Sequence, residues 1–197
     1  MTVERDSLDL VAREIAACTA CPLHRHRTQV VPGEGAAPAS LMLIGEGPGR
    51  QEDEEGRPFV GAAGQLLDRM LAAIHCDRAN VYIANVVKCR PPDNRTPTDE
   101  EALCCAPLLS RQIALVDPSV IVTLGATATR MLLGADARIT RVRGQWHWLG
   151  ERAVMPTFHP AFLLRDPRQK RFAWEDLQQV ATRLGITLKA SESARSW

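Results

Sequence analysis

The sequence predicts an α/β fold in which helices cover both faces of a parallel β-sheet. Four short apolar runs, each a predicted buried strand, alternate with segments whose apolar residues recur at helical spacing. Strands that alternate with helices pair in parallel, because each helix carries the chain back across the sheet before the next strand begins. A chain of 197 residues suits one compact domain, so we expect residues 1–197 to form a single domain.

The four predicted strands are short apolar runs that end at glycine or at a polar residue. They cover residues 41–44, 81–84, 120–124 and 153–158. Pro156 cannot donate a ladder hydrogen bond, which favours an edge position or a strand end for the fourth run.

The predicted helices fill the segments between the strands. Leu8, Val11 and Ile15 recur at helical spacing within residues 5–17, and an apolar stripe of the same kind spans residues 64–74. Thr98, followed by three acidic residues, marks the start of another helix. The remaining predictions are helices over 98–116, 126–133 and 172–185, a proline-rich extended loop over 90–97, a small hairpin through Gly144 over 139–149, and a flexible tail over 190–197.

Composition and charge place the chain among ordinary globular proteins. Hydrophobic residues make up 45% and charged residues 24%, which excludes disordered and collagen-like classes. No apolar run approaches the ~18 residues of a membrane span, and the charged N-terminus lacks the apolar stretch of a signal peptide. We therefore expect a soluble, cytoplasmic protein. The net charge of +1 does not by itself indicate a nucleic-acid partner.

The spacing of the six cysteines predicts a metal site. Structural disulfides are rare in a reducing cytosol, so these residues are expected to be thiols or metal ligands. Cys18 and Cys21 form a C-x2-C pair, and Cys89, Cys104 and Cys105 follow far along the chain. A C-x2-C pair with two distant thiolates suits a four-cysteine zinc or iron–sulfur site, and ligand chemistry alone does not choose between them. The alternative is a set of buried, inert thiols. For the sixth cysteine, Cys76, we predict an inert packing residue.

Polar side chains follow three of the predicted strands at the point where each strand ends. Glu46 lies in the glycine-rich loop after the first strand, Asn85 follows the second, and His159 follows the fourth. Ligands of such sheets bind beyond the carboxyl ends of the strands, so we expect these side chains at one rim. Each has a structural alternative, such as a carboxylate at a helix terminus or an amide that caps a turn. Their convergence nevertheless predicts an active site.

Four segments of the chain stand out beyond this pattern. They are GEGPGRQEDEEGRPFVGAAGQLLDRML, NVVKCRPPDNRTPTDEEALCC, LGATATRMLLG and FHPAFLLR. The first fits neither the dinucleotide-binding fingerprint nor the Walker motif. Together the segments resemble the family 4 uracil-DNA glycosylases, the iron–sulfur-containing group. The resemblance covers the chain from about Cys18 to Leu184 and implies a three-layer α/β/α sandwich around a four-stranded parallel sheet.

The resemblance implies a monofunctional DNA-repair hydrolase. Such an enzyme flips uracil out of single- or double-stranded DNA, hydrolyses its N-glycosidic bond and leaves an abasic site. Glu46 would orient or deprotonate the attacking water, and His159 would hydrogen-bond uracil O2. Asn85 would read the uracil edge, and Phe59 would stack on the flipped base. The pocket would also be lined by Gly47, Glu52 and Asp53.

The resemblance also implies a [4Fe–4S] cluster with a structural role. Its ligands would be Cys18, Cys21, Cys89 and Cys105. The family spacing favours Cys105 over Cys104, because it places fifteen residues between the third and fourth ligands. A sister group that crosslinks itself to the abasic sugar carries a basic insertion with a reactive histidine after the second strand. This chain lacks that insertion, so we expect turnover.

DNA contacts are expected in the segment after His159. Leu163 and Leu164 are suited to fill the space left by the flipped base, or else to pack against the fold as an apolar helix face. Nearby basic side chains would hold phosphates, with Arg25 and Arg27 as further candidates. These nearby side chains are Arg165, Arg168, Lys170 and Arg171.

Two other classes of protein remain open from the residues alone. A non-catalytic, metal-stabilised DNA-binding module would have the same basic face but would release no uracil. An iron–sulfur electron-transfer protein would need an exposed, reversible cluster and has no use for the polar rim. We expect a monomer whose partner is uracil-containing DNA, and the formation of abasic sites separates the three classes.

Overall fold

The computed structural model describes residues 6–188, so the predicted tail over 190–197 lies outside the described residues. The strands in that range are β1 Glu34–Gly35, β2 Leu41–Gly45, β3 Tyr82–Asn85, β4 Val120–Leu124, β5 His147–Leu149 and β6 Arg152–Thr157. The helices are α1 Leu8–Ala17, α2 Arg50–Glu55, α3 Ala62–Ala73, α4 Asp99–Val116, α5 Ala126–Leu133, α6 Ile139–Val142, α7 Pro160–Arg165 and α8 Lys170–Arg183. None of these helices combines the length and the apolar character that a membrane span needs.

The described strands form one sheet in the order β1-β3-β2-β4-β6-β5. The four central strands are parallel, and β1 and β5 add short antiparallel pairs at the two edges. The four predicted strands and their parallel pairing are confirmed, with small shifts at their ends. The two edge strands were not predicted, because runs of two and three residues are too short to show an alternating pattern.

Helices pack against both faces of the sheet, which gives the three layers of an α/β/α sandwich. Successive side chains of a strand point to opposite faces, so Leu43 of β2 packs among side chains of α3 and α8. Ile44 packs on the other face with side chains of α4 and α5. Every residue of β2 is buried, because neither face of this central strand meets solvent. The predicted α/β sandwich is confirmed.

Thr98 starts α4, as predicted from the sequence. Its hydroxyl accepts a hydrogen bond from the Glu101 N–H at 3.2 Å, and the Glu101 carboxylate accepts one from the Thr98 N–H at 2.8 Å. This reciprocal capping gives partners to two amide groups at the helix start. α2 was not predicted, because its six residues include four acidic side chains and no apolar stripe.

The predicted hairpin through Gly144 is wrong. Residues 139–142 form the short helix α6, and the hairpin instead joins β5 to β6 through Gly150. Both glycines have the positive φ that tight turns require, so the position of a glycine could not choose between the two turns.

Pro156 lies inside β6 at a place where one side of the strand is open. β5 pairs with β6 only as far as Val154. The Pro156 carbonyl accepts a hydrogen bond from the Gly144 N–H at 3.1 Å, so the missing proline N–H faces that same side. The proline therefore breaks no bond of the ladder, in keeping with a local edge position.

The two leucines of α7 have different environments. Leu163 is fully buried in the core that α3 and α8 form with the sheet, whereas Leu164 is 41% exposed. The prediction that Leu163 fills a vacated base stack is therefore wrong, and the packing alternative holds for it. α7 has six residues, too few for the sequence to show which leucine faces the core.

Separate replacement of Leu163 and Leu164 should show that only Leu163 contributes strongly to the free energy of unfolding. Leu163→Ala removes a fully buried side chain and should lower the free energy of unfolding by about 2–5 kcal/mol. Leu164→Ala is the matched control and should change that free energy by no more than about 0.5 kcal/mol. Urea denaturation followed by circular dichroism measures both. Equal losses in the two variants would contradict this placement of α7.

Candidate functional site

A cavity of about 510 Å³ opens at the carboxyl ends of the parallel strands. Glu46 follows β2, Asn85 ends β3 and His159 follows β6, and all three line this cavity. The strand order reverses at β2, since β3 lies on one side of it and β4 on the other, and open sheets bind ligands at such a switch point. The other predicted site residues that line the cavity are Gly47, Glu52, Phe59 and Arg165.

Gly45 allows Asn85 and Phe59 to meet at the end of β2. A Cβ atom at position 45 would lie 2.5 Å from Asn85 Oδ1 and 2.5 Å from Phe59 Cζ, so any larger residue would displace one of them. Asn85 is 2% exposed, and its Oδ1 has no hydrogen-bond partner among the described residues. A buried acceptor without a partner costs about 1–3 kcal/mol, so a ligand N–H that reaches this oxygen gains that energy.

Phe59 borders the cavity from a left-handed backbone conformation, with a φ of 53°. The centroid of its ring lies 5.6 Å from that of His159, and the two ring planes are inclined by 30°. A flat apolar ring beside a polar cavity suits stacking against a planar ligand.

Glu52 joins the two loops that border the cavity. Its Oε1 accepts hydrogen bonds from the Val60 and Gly61 N–H groups, both at 2.9 Å. Its Oε2 accepts one from the Gly49 N–H at 3.1 Å. The carboxylate therefore holds the glycine-rich loop against the Phe59 loop in addition to lining the cavity.

Asp53 does not line the cavity, contrary to the prediction. It is 2% exposed, and its Oδ1 accepts a hydrogen bond from the Thr28 N–H at 2.9 Å. Consecutive residues of a helix point about 100° apart, so when Glu52 faces the cavity its neighbour in α2 is turned away. Asp53 instead fastens the segment that follows the first cysteines to α2.

The fold determines which ring nitrogen of His159 carries the proton. Nδ1 accepts a hydrogen bond from the Ala161 N–H at 3.1 Å, at the start of α7. Burial, together with the charge of Arg165, lowers the pKa of His159 to about 4, although Glu52 acts in the opposite direction. The imidazole is therefore neutral at pH 7 and carries its proton on Nε2, which leaves an N–H donor for a ligand.

Glu46 is held at the N-terminus of α5. The Thr127 hydroxyl donates to Glu46 Oε2 at 2.5 Å, and Thr127 itself is 6% exposed. The partial positive charge of a helix N-terminus favours a carboxylate at this position. Thr127 was not predicted from the sequence, although a hydroxyl two positions after Gly125, the glycine that follows β4, was an available signal.

The proline-rich loop forms one wall of the cavity, which was not predicted. Asn94, Arg95 and Thr96 contribute to this wall. Arg95 is fixed by two hydrogen bonds to the Glu101 carboxylate, at 2.8 and 2.7 Å, and holds the pKa of Glu101 below its usual range. Its position after β3 was an available signal, because the loop after a parallel strand lies at the same edge as the cavity.

The basic residues at the end of α7 and beyond differ in their surroundings. Arg165 lines the cavity. The Arg168 side chain is 88% exposed and pairs with Asp166 at 2.8 Å. Arg171 lies 4.4 Å from the centroid of a neighbouring phenylalanine ring, a cation–π distance. Lys170 begins α8, and burial lowers its pKa.

The four predicted cysteine ligands border one small cavity on another part of the molecule. These residues are Cys18, Cys21, Cys89 and Cys105. Cys104 is exposed, and its sulfur lies 3.6 Å from the Ala20 carbonyl oxygen. Within residues 6–188, no three Cys, His, Asp or Glu side chains are arranged as ligands of a single metal ion.

Burial is the main influence on the pKa of three of these thiols. It raises the pKa of Cys21 and of Cys89, and it raises that of Cys105 to about 11. Thiolates are the form that binds metals, so binding here would release protons. Arg27 favours the thiolate by donating to Cys89 Sγ at 3.2 Å, and it also donates to the Cys18 carbonyl at 3.0 Å. Arg27 therefore contacts the thiol site, and its contact with a phosphate stays a prediction.

Lys88 connects the thiol cavity to the larger one. It borders the thiol cavity and is 1% exposed. Its Nζ donates to the Asn85 carbonyl at 2.7 Å and to Gln112 Oε1 at 2.6 Å, and burial lowers its pKa to about 7, although Cys105 acts in the opposite direction. No sequence pattern indicated this burial, because lysine is rarely inside a protein unless it is paired.

Comparison with known proteins agrees with this architecture. The family model of the uracil DNA glycosylase superfamily matches residues 32–178, a range that includes Glu46, Asn85 and His159. Three curated relatives are each named Type-4 uracil-DNA glycosylase. The one from Thermotoga maritima is 48% identical over 91% of this chain and 96% of its own length. Those from Sulfurisphaera tokodaii and Saccharolobus solfataricus are 45% and 44% identical, over 93% and 89% of this chain and 87% and 85% of their own lengths.

The family match covers all six described strands and all three polar residues of the rim, and the similarity to the three relatives extends over most of the chain. The chain belongs to the uracil DNA glycosylase superfamily and, within it, to the type-4 family.

Proposed function

We propose that this protein removes uracil from DNA, hydrolysing the bond between base and sugar and leaving an abasic site. The observation that carries the proposal is the meeting of Glu46, Asn85 and His159 in one cavity at the strand ends. This reaction needs a group that reads the base, a donor for the departing base and a carboxylate for the sugar and water. The names of the type-4 relatives support the same activity.

Asn85 would distinguish uracil from cytosine. Its unpaired Oδ1 accepts the uracil N3–H, and its amide nitrogen donates to uracil O4. Cytosine has an acceptor at N3 and a donor at N4, so both contacts would be mismatched. Each buried polar group left without a partner costs about 1–3 kcal/mol, which disfavours cytosine by about 5- to 150-fold per contact.

His159 would stabilise uracil as it leaves. When the bond between C1′ and N1 breaks, both electrons remain with the base, and negative charge develops on O2. The Nε2–H of the neutral imidazole donates to this oxygen. One donor aimed at developing charge contributes roughly 3–4 kcal/mol to the transition state.

Glu46 would act on the sugar side of the same bond. C1′ becomes electron-poor as the base departs, and the carboxylate favours both this positive charge and the approaching water. The water oxygen bonds to C1′, and Glu46 accepts the proton that the water loses. Because the Thr127 hydroxyl holds Oε2, the carboxylate is oriented before the substrate arrives.

Entry of the base into the cavity requires its extrusion from DNA, which costs a few kcal/mol. Stacking on Phe59 would return about 1–3 kcal/mol of this. Leu164 is the exposed member of the leucine pair and would occupy the space left in the DNA. Phosphates would be held by Arg165, Arg168, Lys170 and Arg171.

We further propose that the thiol site holds a [4Fe–4S] cluster through Cys18, Cys21, Cys89 and Cys105. A cluster takes one thiolate at each iron, so four thiols around one cavity match its donor set, and the exposed Cys104 lies outside it. When bound, the cluster supplies a rigid cross-link between the N-terminal segment and the proline-rich loop.

We also propose that the protein acts as a single-domain monomer in the cytoplasm. One sheet extends through residues 34–157, and a single chain supplies Glu46, Asn85 and His159 to the cavity, so the proposed chemistry needs no residue from a second copy. The six cysteines are unbonded thiols, which suits a reducing compartment.

The protein should form abasic sites in single- and double-stranded oligonucleotides that contain uracil. Alkaline cleavage after incubation measures these sites, and the same oligonucleotides with thymine in place of uracil serve as controls. His159→Ala removes a donor to the developing charge and should lower the single-turnover rate by about 10²–10³. His26→Ala, at an exposed histidine outside the cavity, should leave the rate unchanged.

Asn85→Asp tests base recognition in the same assay and should also lose uracil release, because a carboxylate cannot donate to O4. Full activity in both Asn85→Asp and His159→Ala would rule out this mechanism. DNA binding by the unaltered protein without abasic sites would favour the non-catalytic binding module instead.

The lowered pKa of His159 predicts a pH dependence of stability. The pKa is about 4 in the folded protein and near 6.5 in an unfolded chain, so between these values the unfolded state binds more protons. This residue therefore contributes a loss of stability as the pH falls from about 6.5 to about 4. In His159→Asn, which retains an acceptor to cap α7, urea denaturation should show a smaller loss over that range. An identical loss in both proteins would contradict a neutral, buried imidazole.

The adjacent cysteines provide a matched test of the thiol site. Cys105→Ser should reduce the iron and sulfide content and the visible absorbance of the purified protein, because one corner of the cluster loses its thiolate. Cys104→Ser should leave all three at the level of the unaltered protein. Equal losses in the two variants would contradict the ligand assignment, and zinc without iron or sulfide would contradict the cluster.

A further inference from the structure

We propose that Arg78 is a positioning residue that holds Phe59 in the backbone conformation from which its ring can stack on the extruded base. The inference rests on the proposed uracil excision, which gives Phe59 its stacking role. Arg78 is not among the residues that line the cavity. It lies in the turn before β3, 19 positions after Phe59 in the chain.

The conformation of Phe59 requires an external cause. Its φ of 53° brings the Cβ of a bulky residue close to the backbone, and L-residues other than glycine rarely adopt it. Such a conformation persists only where the surrounding contacts fix it. Part of the restraint comes from α3, where Gly64 packs so tightly that a Cβ there would lie 1.7 Å from the Phe59 carbonyl oxygen.

Two charged side chains hold the backbone on either side of this turn. Arg78 Nη1 donates to the Pro58 carbonyl at 2.9 Å, and Nη2 donates to the Phe59 carbonyl. Glu52 accepts hydrogen bonds from the two N–H groups that follow Phe59, both at 2.9 Å. The carbonyl groups are thus bound by a cation and the amide groups by an anion, which fixes both peptide planes next to Phe59.

Arg78 is itself fixed by two carboxylates from different elements. Its Nε donates to Asp68 of α3 at 2.6 Å, and Nη1 donates to Glu34 of β1 at 2.7 Å. The side chain is 22% exposed. All three guanidinium nitrogens therefore have partners, and their planar arrangement is what allows one side chain to reach two carbonyls and two carboxylates. A lysine offers one nitrogen and cannot reproduce this arrangement.

Loss of Arg78 should therefore act on stacking. The Phe59 backbone would be free to leave its left-handed conformation, and the ring would then leave its place beside Gly45 and His159. Binding of the base would weaken, whereas the groups that act on the C1′–N1 bond would keep their partners.

Arg57 provides a matched control in the same neighbourhood. It binds the same Glu34 with hydrogen bonds of 2.8 and 3.2 Å, but its side chain is 56% exposed, and the Phe59 carbonyl is bound by Arg78. Replacing Arg57 removes an ion pair with this carboxylate and leaves the Arg78–Phe59 contact in place.

The experiment compares Arg78→Met and Arg57→Met on uracil-containing oligonucleotides. Arg78→Met should raise both the KM and the inhibition constant of free uracil by about tenfold, within the range expected for a lost base stack, with a smaller change in kcat. Arg57→Met should change none of these values. Hydrogen–deuterium exchange should also be faster at Val60 and Gly61 in Arg78→Met alone.

A double-variant cycle with Phe59→Ala tests whether Arg78 acts through Phe59. The double variant should bind uracil no more weakly than Phe59→Ala, because the interaction has already been lost. Losses that add, or an Arg78→Met protein with a lower melting temperature but unchanged KM and uracil inhibition, would overturn the inference.

Two further measurements cover the cases in which Arg78→Met does not fold or the unaltered protein forms no abasic sites. If Arg78→Met does not fold, Arg78→Lys takes its place, since it keeps a positive charge beside Glu34 and Asp68 but lacks the planar fork. If the unaltered protein forms no abasic sites, the proposed function fails. The exchange rates at Val60 and Gly61 then still decide whether Arg78 fixes the Phe59 loop, and unchanged rates would overturn that assignment.

Discussion

The cavity depends on the pairing of Gly45 with Asn85 at the ends of two adjacent parallel strands. The register sets these residues side by side, and the missing Cβ of Gly45 leaves the space in which the amide and the Phe59 ring meet. Both strands are buried along their whole length, so their register is fixed by the core. The geometry that would read a base is therefore set by the most constrained part of the fold, as preorganised recognition requires.

The states of Glu46 and His159 are compatible because each of these two side chains has its own partner. Thr127 holds the Glu46 carboxylate, and the Ala161 N–H holds His159 Nδ1. Since burial keeps the imidazole neutral, it does not draw Glu46 into an ion pair across the cavity. In the proposed reaction, the carboxylate would stay available to the sugar side and the N–H donor to the base side. One buried environment can thus serve two opposite charges that develop in the same step.

Sequence patterns were sufficient for the strands and for the residues at their ends. Apolar runs locate where a strand stops, and parallel topology brings those ends together, so Glu46, Asn85 and His159 could be predicted to converge. The direction of a side chain in a short helix could not be predicted in this way. Asp53 and Leu163 lie in helices of six residues each, where no apolar stripe shows which side faces inward. Contacts between distant segments, such as the one between Lys88 and Gln112, leave no local pattern in the sequence.

The thiol site and the cavity are joined by a short stretch of chain, which gives a structural group a route to influence recognition. Cys89 lies four positions after Asn85, and Lys88 between them binds the Asn85 carbonyl. A group bound by Cys89 would restrain this stretch at one end, while the β2–β3 pairing restrains it at the other. Loss of that group would remove one restraint from this stretch, while the hydrogen bonds from the Val86 and Val87 N–H groups to the Gly45 and Glu46 carbonyls remain. A cluster at the proposed thiol site would therefore be connected to the amide through this stretch of backbone, without taking part in the chemistry.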